Sequence, residues 1–562
     1  MAVALAFVHV GCISVGGATC SRAAPSRTRR CTLNSSILAL AIISSIVAVG
    51  SLVGFLARFH HKMDLEQWTV GGRGFGLVLV WLLMAGEIFT TFTFFGASGW
   101  AYSKGGPVLY ILGYSPLIYI VSFFILPLIW EVGRTHGLQT QADFFQVRYG
   151  NTYLGAFVAL VGVVCLIPYV QIQVTGLGII VEIASFGAIH RTPAMIIGLA
   201  LVAGFVFVSG VRGVAWVSII KDLLLLGAAI FIGIAVPRIY FGGIGPMFAS
   251  LVQTKPNHMV MPGATKDLGH AWYVTTVLMI SFGFYMWPQY FAASFTAKSG
   301  RILRRNAVIM PLYAITMPLM FFIGFSALLI LPGLSNGDLS MLMIVRKTFP
   351  AWFLGVVGGA GALTAMVPAA IQLLTGATLY SKNLFRPILA PGMTDQQVAK
   401  LAKVMVLVLT SGAVLLAVYS SMSLVSLWLL GSAGVAQLFP GVVLGLFSRR
   451  VTTSGIFAGL VTGLAIAVFL MLTGRDPFYG LNPGFVALCF NFVVTGVVSR
   501  TSNACGSSDR CAFDSSLLLT PHVSGSAGAG GSKRPVAVIT SLAARRCSHL
   551  ARHRFHSVVR SA

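Results

Sequence analysis

The stretch WLLMAGEIFTTFTFFGASG places a carboxylate in the middle of an apolar run. Glu87 follows Gly86 there, and three threonines, Thr90, Thr91 and Thr93, come about one helical turn later. A charged side chain at the centre of a membrane span costs at least about 2.5 kcal/mol, so such residues mark candidate functional sites. We expect Glu87 to be protonated or to have a partner.

Two structures fit this stretch. In the first, a continuous helix packs closely through its small residues, and the threonine hydroxyls bond to their own backbone. In the second, the helix breaks near Gly86, and the freed backbone groups line a solute site midway through the membrane. Glu87 favours the broken helix, because a buried carboxylate needs polar surroundings.

A second charged spot lies in VSIIKDLLLLG. Lys221 could extend to a nearby membrane surface beside a local acid, Asp222. Alternatively, the two residues form a gate or an anion-attracting charge on the inner path. Because adjacent residues point about 100° apart on a helix, we expect that the two charges do not simply cancel each other.

A proline interrupts a third apolar run, FGFYMWPQYFAAS. Pro288 should bend or break this helix, and Trp287 and Gln289 flank the bend. Two interrupted helices in corresponding positions indicate an inverted-repeat transporter. Gln173, in the run IPYVQIQVTGLG, adds a polar group to another apolar segment.

Composition predicts the elements that position these residues. Hydrophobic residues make up 57% of the chain and charged residues 9%, whereas soluble domains carry about 25% charged residues. Continuous apolar runs, rather than alternating ones, predict membrane helices and not a barrel. We therefore expect an all-α integral membrane protein with no cofactor and no enzyme activity.

The chain divides into a body and two tails. We expect residues 1–35 to be a disordered or mis-annotated tail, residues 36–500 to form the transporter domain, and residues 501–562 to be a disordered basic tail. The body contains thirteen apolar stretches long enough to span at about 20 residues each. These are spans 1 to 13, in order: 36–57, 75–98, 107–130, 153–183, 192–210, 214–235, 271–297, 307–332, 350–380, 400–420, 422–447, 453–473 and 481–499.

The formal charge of +25 does not indicate nucleic acid. Most basic residues lie in short loops and in the two tails, and no folded basic face is predicted. The loops after the odd-numbered spans carry about twice as many Lys and Arg residues as the alternate loops, so the body is predicted to start outside and end in the cytoplasm.

Several motifs in this order resemble the sodium:solute symporter family, whose members have the LeuT-type fold. They are WTVGGRGFG, PYVQIQ, WPQ, GALTAMVPAAIQLLTGATLYSKNLFRP and QLFPGVVLGLFSRRVTTSGIFAGLVTG. The resemblance covers residues 36–500 and implies two five-helix inverted repeats, spans 2–6 and 7–11. It places solute between spans 2, 4, 7 and 11. The predicted substrate-binding or coupling residues are Gly86, Glu87, Phe89, Thr90, Thr91, Thr93, Gln173, Trp287, Gln289 and Gln372.

The sodium site implied by the resemblance is altered here. In the family, sodium commonly lies between broken span 2 and a Ser/Thr hydroxyl pair of span 9. Counting back from Gln372, that pair falls on Val367 and Pro368, which have no side-chain oxygen. Only backbone carbonyls, near Gly86 and Phe89, and the hydroxyl of Thr364 remain for a degenerate site.

The inner path is altered as well. The family's acidic position early in span 6 falls near Ser218, and Lys221 and Asp222 follow it. The coupling ion therefore stays open between H⁺ and Na⁺. The missing hydroxyls favour the proton, with Glu87 as its carrier.

Three stretches, AGEIFTTFTFFGASGWAYSKGGP, DFFQVRYG and AMVPAA, also resemble a narrower bacterial branch of monocarboxylate permeases. That resemblance implies a small solute such as pyruvate or lactate, carried across the bacterial cytoplasmic membrane by alternating access. The alternatives are a sodium-coupled symporter of the proline or alanine type and a transporter-like sensor. No signalling domain follows the body, which disfavours the sensor.

Overall fold

The computed structural model describes residues 25–57, 65–420 and 422–505. Most of both predicted tails, residues 1–24 and 506–562, lies outside the described residues. The first helix begins at Pro25, so the end of the predicted N-terminal tail is helical. The apolar part of this helix that could cross a membrane is Asn34–Leu56, close to predicted span 1.

The body is all-helical and membrane-spanning, as the sequence predicts. Within the described residues, ten helices are long and apolar enough to cross a membrane, and eleven if the bent pair of span 2 counts as one. They correspond to every predicted span except 5 and 7. Span 5 is a shorter apolar helix, Arg191–Val206, and span 7 is interrupted. The number thirteen therefore stays a prediction.

Span 1 and the five spans of the first repeat come first along the chain. Their bounds, with span 1 first, are Pro25–Leu56 for span 1, Leu77–Ile88 and Ala97–Ser103 for span 2, Tyr110–His136 for span 3, Thr152–Ala184 for span 4, and Arg191–Phe241 for spans 5 and 6 together. In the last of these, Gly210 has a positive φ of 56°, which separates span 5 from span 6. A glycine is needed there because other residues rarely adopt this conformation.

The second repeat and the trailing helices complete the body. Their bounds are His270–Gly283 and Pro288–Ser294 for span 7, Gly300–Ile309, Pro311–Ala314 and Met317–Ile330 for span 8, Ala351–Thr378 for span 9, Asp395–Tyr419 for span 10, Leu424–Ala436 and Phe439–Phe447 for span 11, Thr453–Leu472 for span 12 and Pro483–Cys505 for span 13. Span 9 continues through a π-helical turn, Leu379–Phe385, into Arg386–Leu389.

Shorter helices lie between the spans. They are Leu65–Val70, Gln141–Tyr149, Ile244–Thr254 and Ser340–Thr348, with 3-10 turns at Gly71–Arg73, Gly106–Leu109 and Gly337–Leu339. A further 3-10 turn, Phe284–Met286, lies inside span 7 at its break. The helix Gln141–Tyr149 begins with a capping box in which Thr140 and Asp143 bond to each other's backbone. This arrangement satisfies the free N–H groups of the helix start.

Span 9 lies at the centre of the bundle and is almost entirely buried. Its glycine-rich start lets span 1 approach closely. A Cβ added at Gly358 would lie 2.7 Å from the side chain of Ile43, so only glycine fits this contact without a shift. Lipid provides no hydrophobic driving force between helices, so close van der Waals packing through small residues stabilises such interfaces instead.

Candidate functional site

Span 2 breaks one turn later than predicted. Its first half ends at Ile88, Phe89 has a non-helical ψ of 87°, and a π-helical turn over Phe92–Gly96 resumes the span. The two halves are bent by 53°. The continuous-helix alternative is therefore wrong, and the break leaves several carbonyls without their helical N–H partners.

Side chains from other spans bind the carbonyls at this break. Lys221 Nζ donates to the carbonyl oxygens of Gly86 at 2.8 Å and Phe89 at 3.0 Å. Tyr290 Oη donates to the carbonyl of Glu87 at 2.6 Å. Spans 6 and 7 thus satisfy the backbone that span 2 leaves open.

Lys221 is fully buried and uses all three of its N–H donors. Besides the two carbonyls, its ammonium pairs with Oδ1 of Asp222 at 2.9 Å. An ammonium has three donors and no acceptor, so this coordination is complete. The surface-extended lysine is excluded. The prediction that Lys221 and Asp222 do not neutralise each other is also wrong, because the flexible lysine side chain reaches back to its neighbour.

Span 8 completes the surroundings of Asp222. Tyr313 Oη donates to Asp222 Oδ1 at 2.9 Å, and the Tyr313 ring packs on Phe89 with centroids 4.1 Å apart. Ser218 lies beside the same contact: a Cβ added at Gly86 would lie 2.9 Å from Ser218 Oγ. Gly86 therefore permits the close approach of spans 2 and 6.

The side chain of Glu87 has a different environment from the backbone carbonyl of the same residue. Its side chain is fully buried, and neither carboxylate oxygen has a hydrogen-bond partner among the described residues. The amide groups of Gln289 and Gln372 are equally buried and equally without partners there. Each such group costs about 1–3 kcal/mol when left unpaired. A polar solute or water would relieve that cost.

The threonines of span 2 separate into two roles. Thr91 Oγ1 donates to Gln173 Oε1 of span 4 at 2.6 Å, while Gln173 Nε2 has no partner among the described residues. Thr90 Oγ1 accepts from the backbone N–H of Phe92, and Thr93 Oγ1 donates to the carbonyl of Thr90. Thr91 therefore joins two spans, whereas the other two shape the break.

Aromatic rings line the region between the two broken helices. Trp287, whose ψ of 128° breaks span 7, packs on Tyr169 with centroids 4.7 Å apart. Phe92 stacks on Trp428 of span 11 at 4.6 Å. Tyr169 Oη and Tyr290 Oη are 2.8 Å apart. Because Tyr290 Oη donates to the Glu87 carbonyl, a chain of hydrogen bonds connects Tyr169 to that carbonyl. Spans 2, 4, 7 and 11 thus meet here.

The residues at the expected sodium position do not form an oxygen cage. Thr364 Oγ1 donates to Ala360 of its own helix at 2.7 Å. Val367 and Pro368 are buried and offer no side-chain oxygen. Because the Lys221 ammonium holds the carbonyls of Gly86 and Phe89, these groups do not fit sodium as a ligand set.

Polar contacts hold the predicted cytoplasmic side together. Asp143, which precedes span 4, accepts from Lys382 Nζ at 2.8 Å and from Asn383 Nδ2 at 2.7 Å. Burial alone would raise the pKa of Asp143, but the Lys382 ammonium and the hydrogen bonds from Lys382, Asn383 and Gln139 hold it below its usual range. The same short helix also donates from Gln141 Nε2 to the Met286 carbonyl at the break of span 7.

The opposite side is held by Asp338, in the 3-10 turn before span 9. Its Oδ2 accepts from the backbone N–H of Leu424, at the start of span 11, at 3.1 Å. A Cβ added at Gly99 of span 2 would lie 2.5 Å from Asp338 Oδ1. Burial raises the pKa of Asp338 to about 6, against the opposing effects of the Leu424 hydrogen bond and the Arg191 charge.

Sequence reasoning missed several residues of this site. Tyr290, Tyr313 and Trp428 read as ordinary aromatic residues of apolar runs. The signal for Tyr290 was its place directly after the Pro-Gln pair that breaks span 7, whereas nothing near Tyr313 in the sequence indicates its contact with Asp222.

Comparisons with known proteins agree with this geometry. Residues 68–463 match the model of the sodium:solute symporter family. The chain is 42% identical over 474 residues to the Bacillus subtilis (strain 168) protein named uncharacterized symporter YhjB, which covers 82% of this chain and 96% of that protein. It is 26% identical to a Rhizobium johnstonii protein named monocarboxylate transport permease protein, over 82% of this chain and 96% of that one.

The fold also matches a solved structure. A Na⁺-coupled sialic acid symporter in a substrate-bound outward-open state superposes with a TM-score of 0.69 at 17% identity, over 83% of this chain and 97% of that one. The match supports the LeuT-type arrangement with broken spans 2 and 7. With the family match over most of the body, it follows that the chain belongs to the sodium:solute symporter family.

Proposed function

We propose that this symporter moves a short monocarboxylate, such as pyruvate or lactate, together with a proton across the bacterial cytoplasmic membrane. The observation that carries the proposal is Glu87, a fully buried carboxylate at the break of span 2 without a side-chain partner among the described residues. A carboxyl group in this position can bind a proton in one state of the transporter and release it in the other.

The shape and chemistry of the site support a small solute. The amide nitrogens of Gln173, Gln289 and Gln372, which have no partner among the described residues, supply donors for a carboxylate. The rings of Trp287 and Phe92 supply apolar surface for a short carbon chain. The relative named as a monocarboxylate transport permease supports the same class. A proline- or alanine-type symporter remains the competing proposal.

The arrangement around Lys221 supports protons as the coupling ion. The family position for sodium lacks the span 9 hydroxyls, and an ammonium binds the span 2 carbonyls. The charge bias of the loops supports a body that starts outside and ends in the cytoplasm.

Counterflow in reconstituted vesicles tests the solute class. Vesicles loaded with unlabelled pyruvate should take up labelled pyruvate and lactate faster than labelled alanine or proline. Vesicles that contain the same unlabelled solute but no protein control for passive entry of the protonated acids. A second set of vesicles is loaded with unlabelled proline or alanine. Exchange of labelled proline or alanine in that set, without exchange of pyruvate or lactate in the pyruvate-loaded set, would replace the proposal with its competitor.

A further inference from the structure

We infer that Lys221 is a tethered cation: its ammonium takes the place of a bound metal cation at the break of span 2, and shortening Lys221 exposes a Na⁺ site. The site would consist of the carbonyls of Gly86 and Phe89 and the carboxylate of Asp222. The inference rests on the geometry of these groups and does not depend on the proposed solute.

The first argument is the convergence of oxygens. Three oxygen atoms, from Gly86, Phe89 and Asp222, lie 2.8, 3.0 and 2.9 Å from Lys221 Nζ. They come from two spans and meet at one buried point. Hard cations bind carbonyl and carboxylate oxygens of this kind, so the same set would suit Na⁺ once the ammonium is removed.

The second argument is charge. The Lys221 ammonium and the Asp222 carboxylate are both buried, and removal of one partner of such a pair leaves an uncompensated buried charge. Asp222 Oδ2 has no partner among the described residues and is available as a further ligand. A monovalent cation would restore the balance that Lys221 provides.

The third argument is that the chain lacks the expected sodium ligands of span 9 and has a lysine ammonium at the break of span 2. Where the family resemblance expects side-chain oxygens, this chain has Val367 and Pro368, and it supplies a cation covalently instead. A fixed ammonium on the span 2 carbonyls can hold the broken helix in place without any dissolved ion. The charged groups around it are Asp222 on its own span and Glu87 on span 2, with Tyr313 of span 8 bonded to Asp222.

Thermal unfolding of the purified protein tests the inference without measuring transport. Wild type and Lys221→Ala are compared in NaCl and in choline chloride at equal ionic strength. Lys221→Met fills the same space without a charge, and Lys382→Ala removes a paired lysine elsewhere. We expect a saturable Na⁺-dependent rise in Tm of ~3 °C or more for Lys221→Ala only, since a ligand stabilises the state that binds it.

The double variant Lys221→Ala with Asp222→Asn should lose this Na⁺ response. If Lys221→Ala is recovered folded only in Na⁺ buffer, that recovery supports the inference; if it is recovered in neither buffer, Lys221→Ser replaces it. A saturable Na⁺ effect of the same size on the wild type would overturn the inference. The absence of any Na⁺ effect on the folded Ala or Ser variant would overturn it equally.

Discussion

At the residue scale, the backbone carbonyl and the side-chain carboxylate of Glu87 have separate roles. Its backbone carbonyl is bound by Tyr290, whereas its carboxylate has no partner among the described residues. Substitution of the side chain therefore removes the proposed proton-binding group while the hydrogen bond that shapes the break remains. This separation makes Glu87 a clean target for mutation.

Glu87→Gln should uncouple transport from the proton. The amide keeps the size of the side chain but cannot bind and release a proton, and one coupled proton drives about tenfold accumulation per pH unit. We expect accumulation of labelled pyruvate under a pH gradient to fall by about that factor, while counterflow continues. Glu131→Gln, at an exposed position on span 3, serves as the control.

Unchanged pH-driven accumulation by the Glu87→Gln variant would remove Glu87 from the coupling step. Glu87 itself could be predicted from the sequence, because a carboxylate in an apolar run is conspicuous. The contacts of Tyr169 and Tyr290 near its backbone carbonyl could not be predicted, because these hydroxyls reach the carbonyl only when spans 4 and 7 pack against span 2.

At the element scale, the close approach of spans 2 and 4 depends on a glycine. A Cβ added at Gly176 would lie 2.6 Å from Thr91 Cγ2. We therefore expect Gly176→Ala to displace Thr91 from Gln173 and to reduce initial uptake by about tenfold, which corresponds to ~1.4 kcal/mol. Gly227→Ala, where an added Cβ meets nothing within 4 Å, should leave uptake unchanged.

Equal uptake rates for these two alanine variants would show that the Thr91–Gln173 contact does not matter for transport. The breaks of spans 2 and 7 were predictable from Gly86 and Pro288. The position of the first break was less so, since the helix continues to Ile88 before Lys221 and Tyr290 bind the freed carbonyls.

The ends of spans 2 and 11 on the side opposite the predicted cytoplasmic one should respond to pH through Asp338. Its pKa of about 6 in the closed, buried arrangement exceeds the value of a hydrated aspartate, about 3.9. The closed arrangement therefore binds the proton more tightly, so closure is favoured as pH falls through about 6 and weakens above that value. Asp338→Asn can keep the acceptor for Leu424 but cannot titrate.

Spin labels at Ser103 and Met422, in a cysteine-free background, would report this movement. Between about pH 5 and about pH 7 the distance distribution should shift to longer values in the wild type and stay fixed in Asp338→Asn. A wild type that does not respond, or a variant that responds equally, would contradict the role of Asp338.

At the scale of the whole molecule, the arrangement follows from where the chain interrupts its own helices. Composition and apolar runs suffice to predict a helical membrane body, and the order of motifs indicates the LeuT-type repeats. The spans that were hardest to predict are those with breaks or shorter helices, such as Arg191–Val206, because an interrupted run loses the length by which hydropathy recognises a span.

The proposed coupling site could be predicted only in part. Missing hydroxyls at Val367 and Pro368 could be read from the sequence as an altered sodium site. The replacement could not, since Lys221 lies 135 residues from Gly86 and reaches it only through the packing of span 6 on span 2. Long-range contacts of this kind have no local sequence signal.

Uptake by the wild-type protein under one imposed gradient at a time tests the central claim most directly. In sodium-free vesicles, an inward proton gradient should drive accumulation of labelled pyruvate above that in vesicles without protein. A protonophore should abolish this accumulation. An inward sodium gradient at uniform pH should drive none. Accumulation that requires the sodium gradient and ignores the proton gradient would contradict the account.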